Sequence, residues 1–173
     1  MTAILVLLVL VAAAFAVAAS RPNTMRIERV IDVAAPPDRI FPLLNDFHHW
    51  RGWSPWEELD PNLQRTYGGP AAGPGAHYAW VGNKKVGEGR MEIMESAQNA
   101  HVKIALQFIK PFPANNTVDL TLSPTATGTH VQWVMNGASP LMMRLFGLFM
   151  NMDAMIGKDF EKGLAGIKRL AEQ

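Results

Sequence analysis

PLMMRLFGLFMNMDAMIGKDFEKGLAGIKRL, residues 140–170, decides the fold. Leu145, Phe149, Met152, Ile156, Phe160, Leu164, Ile167 and Leu170 recur at steps of three or four. That spacing stacks their side chains on one face of a helix with about 3.6 residues per turn, and it predicts one long helix over the whole stretch. From Asp153 onward the opposite face is charged, with Lys158, Glu161, Lys162, Lys168 and Arg169. That half is amphipathic and suited to lie on a sheet. The first half is apolar nearly all round: Met142, Met143, Leu145, Phe146, Leu148, Phe149, Met150 and Met152. Such a surface is buried, lines a cavity, or meets lipid or a partner. Five of the ten methionines fall between residues 142 and 155, and methionine suits apolar surfaces that adapt to their contacts. The helix either packs into its own core or closes one side of a ligand cavity.

Upstream, the pattern has period two. Ala76, Tyr78 and Trp80 alternate with His77, Ala79 and Val81; Gly89, Met91 and Ile93 alternate with Glu88, Arg90 and Glu92. Val102, Ile104, Leu106 and Phe108 repeat the pattern, as do Val118, Leu120 and Leu122, then Val131, Trp133 and Met135. These segments read as antiparallel hairpins with one wet and one dry face. Before them come a strand over Met25–Ala34 and a short helix over Pro37–Asn45, which Pro42 should kink or shorten. Trp50, Trp53 and Trp56, separated by Gly52 and Pro55, cannot follow one regular element. They read as a loop that folds its rings against the body, plugging one end of the core or lining the mouth of a pocket. The run Gly68–Gly75 is a connection; a strand follows it rather than a helix, so it is not a phosphate loop. Strand, short helices, about five strands and a C-terminal helix make an α+β architecture: one antiparallel sheet with helices on one face. A strongly curved sheet wrapped around the long helix would leave a cavity between them.

Lys plus Arg number 16 and Asp plus Glu 15 in 173 residues. The near-neutral balance gives no basic face for nucleic acid. With no cysteine, disulfides, thiolate metal sites and cysteine nucleophiles are excluded. Residues 3–19 carry no charge, and Arg21, Arg26 and Arg29 follow them. The helix they form would reach about 25 Å, near the lower limit for a bilayer core. A single-pass membrane anchor fits these flanks and puts the following domain in the cytoplasm. The competing reading is a signal peptide cleaved after the small residues Ala16–Ala19, with export of the domain. The division is therefore an anchor over residues 1–20, a linker over 21–25 and one domain over 26–173.

Ile31-Asp32-Val33-Ala34-Ala35-Pro36-Pro37 resembles the opening of START-like (SRPBCC) domains. Trp50–Pro61, Gly69–Gly73, Val86–Gly89, Lys110–Phe112 and Met150–Leu164 are similar to the polyketide cyclase/dehydrase-like branch, whose members often carry an N-terminal apolar segment. The resemblance covers residues 26–171 and implies the helix-grip fold, with a hydrophobic cavity between sheet and helix. Relatives shape polyketides, carry lipids, sterols or plant hormones, or assist chaperones. No catalytic motif carries over.

The candidate cavity wall is Trp53, Trp56, Tyr78, Trp80, Leu106, Phe108, Trp133, Met142, Phe146 and Met150. The expected occupant is a hydrophobic small molecule or lipid, because such pockets are apolar with a few polar anchors. The alternatives are a cyclase or dehydratase of polyketide-like substrates, and an interaction module whose Met142–Met155 surface meets another membrane protein. Acid–base chemistry would draw on Glu57, Glu88, Arg90, Glu92, His77 or Tyr78. The pair His48-His49 points about 100° apart on a helix and chelates poorly, so no metal and no cofactor are expected.

Overall fold

The computed structural model describes residues 2–173. An N-terminal helix α1 (Thr2–Ser20) precedes strand β1 (Thr24–Val33) and helix α2 (Pro37–Asn45). Two short 3-10 turns follow, Phe47–Gly52 and Pro55–Glu58. Then come β2 (Gln64–Gly68), β3 (His77–Val81), β4 (Glu88–Ala97), β5 (His101–Lys110), β6 (Ala114–Thr125) and β7 (Gly128–Ala138). Helices α3 (Leu141–Phe146) and α4 (Met152–Ala171) end the chain.

The seven strands form one antiparallel sheet in the order β1-β7-β6-β5-β4-β3-β2. Its register carries one row of side chains across the inner face: Tyr67, Tyr78, Met91, Leu106, Asn116, Gly137 and Met25. The next row is Ile93, Ile104, Val118, Met135 and Ile27, all buried. Irregular pairing between β4 and β5, at Glu88/Gly89 and Ile93/Glu95, bends the sheet. The curved sheet grips α4, which buries Phe160, Leu164 and Ile167 against it. Each of these contributes about 1.5–3 kcal/mol of burial. The architecture is the expected helix-grip α+β fold, preceded by an apolar helix.

Two elements differ from the sequence reading. The stretch 140–170 is not one helix. It breaks after α3, where the N–H of Gly147 closes on the carbonyl of Met143, and restarts at Asn151, whose side chain accepts from the N–H of Ala154 at 3.0 Å. A helix-weakening glycine and an N-capping asparagine thus outweigh the unbroken apolar spacing. Second, β2 is an additional strand. Gln64-Arg65-Thr66-Tyr67-Gly68 has little apolar character, yet it pairs with β3 as the edge of the sheet. Pro42 is accommodated within α2, which ends three residues later at Asn45.

Candidate functional site

Between the inner face of the sheet and α4 lies a cavity of about 260 Å³. The sheet supplies Met25, Tyr78, Trp80, Met91, Leu106, Phe108, Val118, Trp133 and Met135. Helix α4 supplies Met152, Ile156, Asp159 and Phe160, and α3 supplies Met143. Trp50, Ser54, Trp56, Glu57 and Leu63 close it from the Trp-rich loop, and Val86 and Phe112 from strand connections. The wall is therefore mostly aliphatic and aromatic, because the dry faces of β3–β7 all point inward.

Of the ten expected wall residues, Trp56, Tyr78, Trp80, Leu106, Phe108 and Trp133 line this cavity together. Trp53 lies behind it, buried, with its indole N–H donating to the carbonyl of Leu43 at 2.9 Å. Met142, Phe146 and Met150 do not line it; they are 60%, 60% and 51% exposed. The break after α3 explains this. Once the helix is interrupted, α3 packs beside α1, with Arg21 Nη1 donating to the carbonyl of Gly147 at its end, rather than continuing the line of α4. In their place Met143 and Met152 face the cavity.

The Trp-rich segment does both things its composition allowed. Trp50 and Trp53 pack against each other with ring centres 4.5 Å apart and planes tilted by 48°, filling the core beside α2, and the Trp50 indole donates to the carbonyl of Leu44. Trp56 packs edge-on against Trp133 and Phe160 at the cavity wall. Trp133 stacks flat on Phe160 at 4.3 Å, joining sheet to α4.

One polar cluster stands at the wall. The hydroxyl of Tyr78 donates to Glu57 Oε1 at 2.8 Å, and Arg65 Nε donates to Glu57 Oε2 at 2.6 Å. The Glu57 and Arg65 side chains are only 8% and 19% exposed. Burial, then the bond to Glu57, pushes the Tyr78 phenol well above its ordinary value; burial likewise raises Tyr67. Burial pulls the Arg65 guanidinium down, but its bond and charge contact with Glu57 outweigh it, so its pKa is raised. Arg65 escaped the sequence reading because its strand is so polar. Glu57 and Tyr78 were among the acid–base candidates. Of the others, Glu88, Arg90, Glu92 and His77 do not line the cavity; Arg90, Glu92 and His77 are exposed, and Glu88 pairs with Lys110 at 2.7 Å.

Other polar residues at the wall are Ser54, Asn116 and Asp159. Asn116 Oδ1 lies over Gly137, its partner in register, where a side chain would collide with it. His48 and His49 sit at the surface, His48 Nδ1 2.8 Å from Asp46 Oδ1 and His49 Nδ1 3.0 Å from the carbonyl of Pro42.

The fold has known counterparts. A family model described as "Polyketide cyclase / dehydrase and lipid transport" matches residues 24–172. Among solved structures, protein CV1439 from Chromobacterium violaceum is 17% identical, with a TM-score of 0.62 over 88% of this chain and 99% of that one. The Aha1 dimer from Colwellia psychrerythraea is 16% identical, with a TM-score of 0.59 over 86% and 96%. The di-domain ARO/CYC BexL from the BE-7585A biosynthetic pathway is 11% identical, with a TM-score of 0.64 over 91% of this chain and 53% of that one. At these identities the likeness is one of fold. Among curated proteins none matches.

Proposed function

The chain belongs to the polyketide cyclase/dehydrase and lipid transport family, and from that we propose that its domain binds a hydrophobic small molecule or lipid between the sheet and α4. The observation that carries this reading is the cavity of about 260 Å³, walled by aromatic and aliphatic side chains with few polar groups. Its size lies near the lower end of small-molecule sites, and its composition is theirs. The test is retention. Full-length protein reconstituted with one synthetic lipid is extracted with organic solvent and the extract weighed by mass spectrometry. A stoichiometric compound other than the added lipid is expected, and Leu106→Trp, which fills the cavity, is expected to lose it. A wild-type extract holding only the added lipid at bulk proportion would overturn the reading.

The same domain is held at a membrane by α1. This helix of 19 residues has a mean hydropathy of 2.8 over its apolar window, and its length of roughly 28 Å approaches the ~30 Å hydrocarbon thickness. Its far end is built into the domain, which favours retention over cleavage. Ala18 is fully buried, Arg144 Nη1 donates to the carbonyls of Ala19 and Arg21 at 3.2 and 2.9 Å, and Arg21 Nη1 donates to that of Gly147 at 2.9 Å. Arg21, Arg26 and Arg29 on the following side favour a cytoplasmic domain. Tagged protein is expected to resist carbonate washing with its first residues intact; a soluble chain starting near Ser20 would sink the anchor.

A second reading, a cyclase or dehydratase of polyketide-like substrates, is favoured by one observation: Glu57 brings a carboxylate to the cavity wall. Both its oxygens are already engaged, by Tyr78 and Arg65. This reading predicts that a retained compound is converted on incubation with the wild type and unchanged with Glu57→Gln.

A further inference from the structure

We propose that the end of the sheet next to α1 is a docking face for an anionic membrane surface: the β3–β4 turn and the β5–β6 tip rest on the bilayer that holds α1, and the mouth of the cavity opens toward it. The inference rests on α1 being retained in a membrane and adds how the domain sits on that membrane.

The topology sorts the connections into two ends. Every neighbouring pair of strands is antiparallel, so the start of β1, the end of β7, the β5–β6 tip (111–113), the β3–β4 turn (82–87) and the start of β2 share one end. The other end gathers the connections 34–36, 69–76, 98–100 and 126–127. Those four contain no charged residue. The α1 end carries Arg21 before β1, Lys84 and Lys85 in the β3–β4 turn, and Lys110 as the last residue of β5. Lys84 and Lys85 are exposed and have no ion pair among the described residues. Arg21 is exposed and donates to the neutral carbonyl of Gly147, and Lys110 pairs with Glu88 at 2.7 Å.

Two acids precede β2 at the same end. Asp60 is 6% exposed, and its oxygens accept the backbone N–H groups of Asn62 at 2.9 Å and Asn83 at 2.6 Å, so it anchors the β3–β4 turn from within. Glu58 is exposed. The face presented outward is therefore positive on balance.

Apolar side chains stand among these cations. Phe112 is 79% exposed between Pro111 and Pro113 at the β5–β6 tip. Leu59 is 42% exposed, and its carbonyl accepts from the side-chain amide of Asn83 in the β3–β4 turn at 3.2 Å. Exposed lysines beside an aromatic and an aliphatic side chain suit the boundary between anionic headgroups and acyl chains. The membrane is within reach. Thr24 opens β1 only four residues after Ser20 closes α1, a span of at most about 14 Å. Strands stand ~4.8 Å apart, which puts the β5–β6 tip roughly 10–15 Å to the side of β1.

The cavity opens at this same end. Its two exposed lining residues are Phe112 and Ala138, the latter closing β7. None of the four connections at the far end lines it. Docking of the α1 end thus sets the mouth against lipid.

The chain has no cysteine, so one introduced cysteine carries a nitroxide label without background. Full-length Leu10→Cys, Pro113→Cys and Ala126→Cys are placed in nanodiscs of phosphatidylcholine, with and without phosphatidylglycerol. Electron paramagnetic resonance reads the access of oxygen, which concentrates in lipid, against that of a water-soluble nickel chelate. Residue 10 lies within α1 and residue 126 at the far end of the sheet. With phosphatidylglycerol present, the labels at 10 and 113 are expected to favour oxygen and the label at 126 nickel. Omitting phosphatidylglycerol, or adding Lys84→Glu with Lys85→Glu, should move the label at 113 toward the nickel access seen at 126 and leave the label at 10 unmoved. Nickel access at 113 equal to that at 126, with 10 in lipid, would overturn the docking and leave the anchor standing. A label at 113 held in lipid regardless of phosphatidylglycerol and of both lysines would overturn the anionic recognition. Nickel access at 10 would overturn the anchor and the proposal with it.

Discussion

The guanidinium of Arg29 lies directly across the backbone of Gly157, in space that a side chain at 157 would occupy. Arg29 comes from the inner face of β1. It reaches Asp153 Oδ2 at 3.0 Å and Glu161 Oε1 at 2.8 Å, so it ties β1 to two turns of α4 with the glycine between them. These bonds, to Asp153 first and then Glu161, raise the Arg29 pKa. Glycine within a helix normally costs about 1 kcal/mol relative to alanine. Gly157→Ala should therefore destabilise the wild type, because Arg29 must move, yet stabilise an Arg29→Ala background, where only the helix gain remains. Thermal unfolding of the four proteins checks this change of sign. The same sign in both backgrounds would show that the glycine serves something other than the arginine.

Tyr67 and Tyr78, opposite each other in β2 and β3, are the two tyrosines of the chain. Burial, with Glu57 adding to it, raises both phenols. The sign follows directly. Between the unfolded value near 10 and the higher folded value, the native chain holds more protons than the unfolded one. Stability is thus complete below about pH 10 and falls above it, by up to about 1.4 kcal/mol per pH unit for each tyrosine. The folded protein should show less phenolate absorbance at about pH 10.5 than free tyrosine, which is mostly ionised there. Tyr78→Phe should lessen the alkaline loss of stability. Ordinary phenolate titration in the native protein would contradict the packing of this pair.

The alternation that exposes Arg90 and Glu92 and buries Met91 and Ile93 was legible because each strand has one wet face. The same rule brought Tyr78, Trp80, Leu106, Phe108 and Trp133 to one cavity. It fails at β2, whose residues give no alternation because the edge strand is held by its pairing to β3. Arg65 was hidden for that reason, and its value as the partner of Glu57 depends on a fold-back of the Trp-rich loop that no local pattern encodes. At residues 147–151 the signal was present in Gly147 and Asn151. The spacing Leu145, Phe149, Met152 continued through it and masked the break, which is why Met142, Phe146 and Met150 were expected at the cavity wall.

Glu57 and Arg65 form the least solvated ion pair of the domain, at 2.6 Å. Removing one partner leaves the other charge buried. Glu57→Leu is therefore expected to lose about 3 kcal/mol, whereas Glu57→Leu with Arg65→Met removes both charges and should recover most of that loss. Unfolding followed by near-ultraviolet circular dichroism measures both. An additive double variant would mean that the pair is screened by water and does not act as a unit.

Phe149 is 85% exposed and stands in the segment that joins α3 to α4, beside the foot of α1. Met142 and Phe146 are exposed on α3. Apolar surface concentrated in this way marks a contact. Here α3 is fastened through Arg144 to the carbonyl of Ala19 in the last turn of α1 and to that of Arg21 just beyond it, so a membrane holding α1 would bring this surface to the lipid. Aromatic side chains at that depth gain from partial burial while the flanking arginines remain near the headgroups. Phe149→Trp in nanodiscs should therefore add fluorescence that is blue-shifted and quenched by lipids brominated near the headgroup end of the acyl chain. The five native tryptophans lie in the Trp-rich loop, β3 and β7, and their emission without the substitution supplies the baseline. If the added indole emitted as in water and escaped quenching, the patch would be turned away from the bilayer. The interaction-module reading, in which a protein covers Met142–Met155, would then gain the weight that lipid had lost.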